Sequence, residues 1–559
     1  MKDQALVECV PNFSEGRDRK VIESIAAAIG SVPGVKLLDV DPGTDTNRTV
    51  YTFVGTPQAV LEAALSGART ARPLIDMRAH RGAHPRIGAL DVCPFVPVSG
   101  ISMEECSLLS RQFGKRLAEE LGIPVYLYEK AAINPNRTSL ADIRSGEYEG
   151  LEAKLRDPSF VPDFGEPVFD ARWGATVAGA REFLIAYNVN LNTRDKKLAN
   201  DIAMSIREGG RLDRNPDGSV RTDGQGQSVR IPGRLKAARA IGWYIEQYRC
   251  AQVSINLLDF RTTPLHEVFE TVCSEAELRG LRVTGSELVG LVPLEAITGC
   301  GRYFLKKAGK SPGLCDSELV ELAAATMGLN SVAHFDADKK IVEWSYRRKG
   351  RLQSLSLSAF ADEVSGDSPA PGGGSVAALA GSLGSALAAM VGNLTVGKKG
   401  YEAVAEALTM MAVDAQATKA ALLEAIDEDS EAFNAILQAS RLPRSTDEQT
   451  RARNEAMAAA VRQAAAVPLK TAELCCDALE QCLAAIEKGN RNSVTDGAAG
   501  ALVAHAGLEA AILNVRINLK SISDEEFVST TLSRARALAA RGNELTSRAM
   551  AAAEKTLEL

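Results

Sequence analysis

The sequence predicts an α/β N-terminal half made of two related split-βαβ subdomains, followed by an all-α helical-bundle C-terminal domain. Three observations carry this. Up to about Tyr346, short β-like runs alternate with amphipathic helical segments, the pattern of a sheet covered by helices. The order strand, helix, strand, strand, helix recurs after about Arg181. Beyond a polar linker, Ala, Leu and Glu dominate at helical spacing with hardly a β-branched run. The expected divisions are 1–181, 182–346, the linker 347–353 and 354–559.

In chain order, Leu6–Phe13 reads as a strand, Asp18–Ile29 as a helix, Val35–Asp41 and Thr49–Val54 as strands, and Pro57–Thr70 as a helix. Pro124–Tyr128 is a further strand. The second round brings strand Phe183–Leu191, a helix from Thr193 to Arg207, strand Val253–Phe260 and a helix beginning near Thr263. Arg211–Pro232, dense in Gly, Asp, Arg and Gln, reads as a long mobile loop, and Ile341–Tyr346 as a last strand. Arg347, Arg348, Lys349, Gly350 and Arg351 then open the helical half. There, the uncharged run Val376–Val396 is built from Ala, Gly and Ser with scattered Leu and Val. It is too weakly apolar for a bilayer span and is expected to be a closely packed soluble helix with no membrane crossing.

The 559 residues suggest three or four globular units, and 45% hydrophobic with 24% charged residues is a composition that folds. A net charge of −7 disfavours a dominant electrostatic grip on nucleic acid or anionic membrane. Ten cysteines without a CxxC pair resemble neither a disulfide framework nor a zinc site, and the N-terminus lacks a signal-peptide pattern. A reducing, cytoplasmic compartment is expected.

The densest chemical cluster of the first half is Arg78-Ala79-His80-Arg81-Gly82-Ala83-His84-Pro85-Arg86. Two histidines four apart make a metal pair only on a helix, which Gly82 and Pro85 oppose. Each is therefore either a buried, hydrogen-bonded imidazole or a proton shuttle titrating near neutrality. Alternation along Val35–Asp41 puts Val35, Leu37, Asp39 and Asp41 on one face. Asp41 is either an acidic turn residue before Pro42 or a group that orients an imidazole or holds a substrate amine.

In the helical half, Leu422, Ile426, Phe433 and Ile436 recur at steps of three and four, and Asp429 falls on that stripe while Asp427, Glu428 and Glu431 lie off it. An inward carboxylate has its pKa raised by burial and is either catalytic or paired structurally. Ser368-Pro369-Ala370-Pro371-Gly372-Gly373-Gly374-Ser375 reads as a glycine turn with Ser375 as helix N-cap, and Ser493 with Asp496 as a capping box.

Three words of the first half are Val7-Glu8-Cys9-Val10-Pro11-Asn12-Phe13-Ser14-Glu15-Gly16, Thr46-Asn47-Arg48-Thr49-Val50-Tyr51-Thr52-Phe53-Val54-Gly55 and His84-Pro85-Arg86-Ile87-Gly88-Ala89-Leu90-Asp91-Val92. They resemble glutamate formiminotransferases. Ala370-Pro371-Gly372-Gly373-Gly374-Ser375 and Asp427-Glu428-Asp429-Ser430-Glu431-Ala432-Phe433 resemble formiminotetrahydrofolate cyclodeaminases. Together they resemble, end to end, the bifunctional formimidoyltransferase-cyclodeaminase family.

That resemblance implies a folate-dependent enzyme of histidine degradation. The family moves a formimino group from N-formimino-L-glutamate to N5 of tetrahydrofolate, then closes 5-formiminotetrahydrofolate to 5,10-methenyltetrahydrofolate with release of ammonia. It implies His84 as the transferase's catalytic residue and Asp429 as the cyclodeaminase's. It places folate contacts at Gly165-Glu166-Pro167-Val168-Phe169-Asp170-Ala171-Arg172-Trp173-Gly174, with Asp41 and Glu287 also at the substrate. Tetrahydrofolate, in polyglutamylated form, is the implied co-substrate, with no metal, and the implied assembly is a homo-oligomer. Glu287 stands where vertebrate members carry Gln, and Arg211–Pro232 is longer than theirs. Two alternatives remain: a helical half acting as a methenyltetrahydrofolate cyclohydrolase, or a catalytically reduced folate-binding scaffold. Ammonia release separates the first, and intact His84 and Asp429 argue against the second.

Overall fold

The computed structural model describes residues 5–82, 84–135, 137–346 and 350–558. By contacts the chain forms two compact units, Met1–Ile297 with Ala324–Arg347, and Thr298–Ala323 with Arg348–Leu559. The first is α/β and the second almost wholly helical.

The first sheet contains β1 (Leu6–Cys9), β2 (Asn12–Phe13), β3 (Val35–Gly43), β4 (Arg48–Gly55), β5 (Leu90–Ser99), β6 (Val125–Glu129) and β7 (Thr176–Ala180). β1 and β2 follow each other between β4 and β5, antiparallel to both. β3 is an edge strand on β4, while β7 and then β6 extend the sheet parallel to β5. Helices Arg19–Gly30, Pro57–Leu74 and Met103–Leu121 share a core with Val7, Cys9, Phe13, Tyr51, Phe53, Cys93 and Phe95. Side chains alternate across a strand, so Glu8, Asn12, Arg48 and Thr52 point to the opposite face. That face carries the polar groups considered below.

The second sheet of this unit has the order β11 (Ala238–Ile245), β12 (Cys250–Leu257), β8 (Ile185–Leu191), β13 (Val283–Val289), all antiparallel. The run β3-β4-β1-β5 of the first sheet has the same order by chain position. Arg211–Pro232 is more than a loop: β9 (Arg211–Leu212) pairs with β10 (Arg230–Ile231), and bridges join Arg214 to Val220 and Thr222 to Ser228.

In the second unit, helices Leu357–Val364, Gly373–Thr395, Ala405–Ser440, Asp447–Lys488, Val494–Leu519 and Glu525–Leu557 form the bundle. Small residues let backbones approach. A Cβ on Gly384 would lie 2.7 Å from Ala504 Cβ and 2.9 Å from Gly500 O, so any larger residue would separate the two helices. Two helices, Gly373–Thr395 and Arg491–Leu519, are long and apolar enough to cross a membrane; 61% of the first one's most apolar window is buried within the protein, against 44% of the second's.

Four local expectations change. Ile341–Tyr346 is not a strand: Val342–Tyr346 is helical, and only Ile341 makes an isolated bridge, to Val292. Its buried residues, Ile341, Val342 and Ser345, recur at helical spacing, a pattern that so short an apolar run does not distinguish from a strand. A bulge between Leu37 and Asp39 breaks the alternation in β3, so Val35 and Leu37 do not share a face with Asp39 and Asp41. Ser375 is not the N-cap. Gly372 holds that position, and Ser375 lies in the first turn with its hydroxyl turned inward to Ile426 O at 2.9 Å. Ser493 makes no capping bond; Asn490 caps the preceding 3₁₀ turn through Asn492 N.

Within the helical unit, Thr298–Ala323 is held by polar bonds. Ser311 Oγ donates to Asn393 Oδ1 at 2.6 Å, and Asn393 Nδ2 and Gln416 Nε2 each donate to Gly313 O at 2.8 Å. Of the polar linker, Arg347, Arg348 and Lys349 lie outside the described residues. Its end is anchored, since Leu352 N and Gln353 N donate to Asp427 at 2.8 and 3.0 Å.

Candidate functional site

In the α/β unit, the loop carrying both histidines is pinned at two glycines. A Cβ on Gly82 would approach Thr46 C at 2.8 Å, and Gly88 bridges to Gly174. Ser14 Oγ donates to Gly88 O at 2.7 Å. Between those pins the two imidazoles have different surroundings.

His80 is buried with both nitrogens engaged: Nε2 donates to Asn47 O at 2.7 Å, and Arg86 Nε donates to Nδ1 at 3.2 Å. Its proton is fixed by these bonds, so it is structural. His84 is half-buried, and its Nδ1 lies 2.7 Å from Pro85 O. Two partners meet Nδ1: the Pro85 carbonyl only accepts and the Arg48 guanidinium, at 3.1 Å, only donates; we assign the hydrogen to Nδ1 on the shorter contact, which leaves the lone pair on Nε2. Burial first, and then the Arg48 guanidinium, hold the His84 pKa below the usual imidazole value. At neutral pH it is an unprotonated base, and among the described residues no group bonds Nε2.

Arg48, on the polar face of β4, organises the surroundings. Its Nε donates to Asn12 Oδ1 at 2.9 Å and its Nη1 to Asp91 Oδ2 at 2.6 Å, while Nη1 lies 3.1 Å from His84 Nδ1. Asp91 is 0% exposed and also binds Arg144 Nη2 at 2.5 Å and Ile87 N at 3.0 Å. One buried carboxylate thus braces two guanidiniums and leaves a net positive platform beside His84, suited to an anionic substrate. Arg48, Asp91 and Asn12 lay inside the quoted sequence words without being singled out. Arg144 carried no signal of its own.

The segment Gly165–Gly174 borders the same site through Gly174, with Trp173 fully buried and Val168 two-thirds exposed. Asp170 caps its turn, accepting from Arg172 N at 2.9 Å and pairing with Arg72 at 2.5 Å. Phe169 packs against Tyr148. Asp41 is exposed on the edge strand, opposite Val50. It is not what orients His84, because the Pro85 carbonyl does that. Glu287 belongs to the second sheet, where it accepts from Asn188 Nδ2 at 3.0 Å, Gln252 Nε2 at 3.2 Å and Tyr248 OH at 3.2 Å. Gln252 in turn donates to Asn190 Oδ1 at 2.6 Å.

In the helical unit, Asp429 faces the first turn of Gly373–Thr395. Ser375 Oγ lies 3.2 Å from Asp429 Oδ2 and 3.3 Å from Ser430 Oγ. Gly374 packs directly on the carboxyl: a Cβ there would lie 2.6 Å from Oδ2 and nearer still to Oδ1. Burial raises the Asp429 pKa, opposed by the Ser375 hydroxyl and backbone. The group can therefore hold a proton more readily than a surface carboxyl and still give it up. Asp427 faces the other way, onto Leu352 and Gln353, and Glu428 pairs with Lys470 at 3.1 Å. Among the described residues, no group of three or more His, Cys, Asp and Glu is placed to hold a metal ion.

Three family descriptions match. Residues 6–181 match the formiminotransferase domain, N-terminal subdomain, residues 186–347 the formiminotransferase domain, and residues 356–537 formiminotransferase-cyclodeaminase. A formimidoyltransferase-cyclodeaminase from Rattus norvegicus is 47% identical over 529 residues, 94% of either chain. A glutamate formimidoyltransferase from Thermoplasma acidophilum is 42% identical, covering 57% of this chain and 99% of its own. A methenyltetrahydrofolate cyclohydrolase from Methylorubrum extorquens is 36% identical, covering 34% of this chain and 93% of its own.

Proposed function

The chain belongs to the formimidoyltransferase-cyclodeaminase family, and from that premise we propose how its two reactions are divided between the constellations just described. It is a bifunctional folate-dependent enzyme of histidine degradation. It transfers the formimino group of N-formimino-L-glutamate to N5 of tetrahydrofolate. It then cyclises 5-formiminotetrahydrofolate to 5,10-methenyltetrahydrofolate and releases ammonia.

We assign transfer to two related split-βαβ subdomains, 1–181 and 182–346, and cyclisation to 354–559. The repeated strand order supports the first assignment. In transfer, N5 adds to the amidine carbon and loses a proton, and the departing glutamate nitrogen gains one. His84 is our choice for both movements, and the observation that carries it is that Nδ1 is engaged by Pro85 O and Arg48 while Nε2 has no bonding partner among the described residues, which leaves Nε2 to take and return the proton. The cationic pair Arg48 and Arg144 suits the carboxylates of the glutamate. The exposed edge of Gly165–Gly174 is our folate-contacting surface, with Asp41 and Glu287 as further substrate contacts.

In cyclisation, N10 attacks the formimino carbon, loses its proton, and ammonia leaves with one gained. Asp429, with a raised pKa and a Ser375 partner, is suited to that exchange. Purified chain given both substrates should produce methenyl absorbance and ammonia in equal amounts. Methenyl turnover without ammonia from formiminoglutamate would favour the cyclohydrolase reading instead.

A cytoplasmic location is our reading of ten cysteines joined by no disulfide. A homo-oligomer is our reading of an apolar stripe on the helix Gly373–Thr395, where Val376, Leu383, Met390 and Leu394 are 36–48% exposed at heptad-like spacing. A second copy, rather than lipid, is the proposed cover. Light scattering in detergent-free buffer tests it.

A further inference from the structure

The polar face of the first sheet holds a group that the transfer chemistry leaves idle. Glu8 lies in the middle of β1, its neighbours Val7 and Cys9 in the core, so its side chain leaves on the face that carries Asn12 and Arg48. It is 4% exposed, and among the described residues no donor hydrogen-bonds its carboxyl. Arg181 and Glu343 are the charges that act on it, and Arg181 Nη1 is already spent on Glu182 O at 2.9 Å. Burial holds the carboxyl up at about 7. An acid buried without a donor is costly to the fold, and the cost is relieved when a ligand supplies one.

The distance along the sheet says which part of a ligand that is. Glu8 pairs with Val54 and Val96, and Asn12 with Val50 and Val92, so strand and both neighbours advance four residues together without a bulge. Four residues of strand are about 13 Å. Asn12 bonds the guanidinium that touches His84, so Glu8 marks a second point on the same face, one fused bicycle with a contact at each end away from the proton shuttle. Further across the sheet, Tyr128 of β6 lies over Gly179 of β7. With N5 at His84, the far edge of the pterin is its 2-amino group and N3–H, two parallel donors that match two carboxylate oxygens. The formimino group and its glutamate belong at the His84 end, and any carboxylate would be repelled from Glu8.

We propose that Glu8 is the specificity-determining residue that receives the 2-amino–N3 edge of tetrahydrofolate; this rests on the transferase reading above. The test compares binding of tetrahydrofolate and its 2-desamino-2-methyl analogue to the full chain, with Glu8→Gln and Glu8→Asp beside wild type. Wild type should bind the analogue about 10- to 100-fold more weakly, the loss of a hydrogen bond to a charged group. Glu8→Gln, which turns a donor toward donors, should lose as much for tetrahydrofolate itself and then show no further loss with the analogue. Glu8→Asp should fall between, and thermal unfolding should show Glu8→Gln at least as stable as wild type, since it removes the unpaired buried acid that Glu8→Asp keeps. Equal binding of both compounds by wild type overturns the proposal without needing any variant. So does undiminished discrimination in either variant. A chain that bound neither compound would instead remove the folate reading, whereas tight but equal binding would remove only the part given to Glu8.

Discussion

Gly374→Ala perturbs the cyclisation site without touching a titratable group. Its new Cβ would lie 2.6 Å from Asp429 Oδ2 and closer to Oδ1, where about 3.5 Å is the comfortable separation of non-bonded heavy atoms. The carboxyl must therefore retreat by about 1 Å or rotate off Ser375, and a misplacement of that size costs on the order of 10²-fold in rate. Helix propensity works in the opposite direction, but Gly374 sits in the first turn, where Ala gains less over Gly than the roughly 1 kcal/mol of a helix interior, so thermal unfolding is measured beside activity. Gly373→Ala is the comparison, since its Cβ meets only the Asn514 side-chain amide at 3.2 Å. The assay is methenyl formation from supplied 5-formiminotetrahydrofolate, with formimino transfer and thermal unfolding measured on the same samples. Cyclisation should fall about 10²-fold in Gly374→Ala alone while transfer is unchanged. Wild-type cyclisation in a folded Gly374→Ala protein would refute the claim that the position of Asp429 matters.

Other outcomes follow from the same geometry. His84→Ala should lower transfer by about 10²–10⁴-fold and leave cyclisation of supplied intermediate intact, as separate assays of the two steps would show. The neutral imidazole is the base, and its pKa is depressed, so transfer should persist below the usual imidazole range; Arg48→Gln removes a depressing charge and should move the acidic limb of kcat/KM to higher pH. Asp427→Asn keeps one acceptor for two backbone donors, so it should destabilise the helical unit by about 1–3 kcal/mol, read by denaturant unfolding, while the catalytic steps of folded protein survive. Chain cut within 347–349 should yield fragments that co-purify, because Thr298–Ala323 of the first belongs to the helical unit of the second; fragments that separate freely would contradict that division.

The halves were legible because their periodicities differ: β1 through β7 show alternation and Gly373–Leu557 does not. The inward turn of Asp429 was legible for the same reason, as it shares the helical stripe of buried Leu422 and Ile426. What failed was local geometry that one residue can shift. The extra residue in β3 reverses which side chains accompany Asp41, and nothing in Leu37-Leu38-Asp39 announces a bulge. Asp427 lies off the helical stripe, and its spacing says nothing of its partners, which are backbone amides 74 and 75 positions away. Ser375 had the chemistry of a cap but sits three residues inside the helix, where its hydroxyl serves Ile426 O and Asp429. Arg144 reaches Asp91 across 53 positions, a pairing that only the folded chain brings about.

The central claim is that one chain houses two separable proton-transfer sites, and Asp429→Asn in the full chain tests it most directly. The amide keeps the size of the side chain but cannot exchange the proton. Given N-formimino-L-glutamate and tetrahydrofolate, the variant should release glutamate at the wild-type rate and accumulate 5-formiminotetrahydrofolate, with ammonia and methenyl product suppressed about 10²-fold or more. Ammonia appearing at the wild-type rate, or glutamate release falling with it, or a loss that only follows unfolding, would contradict the account.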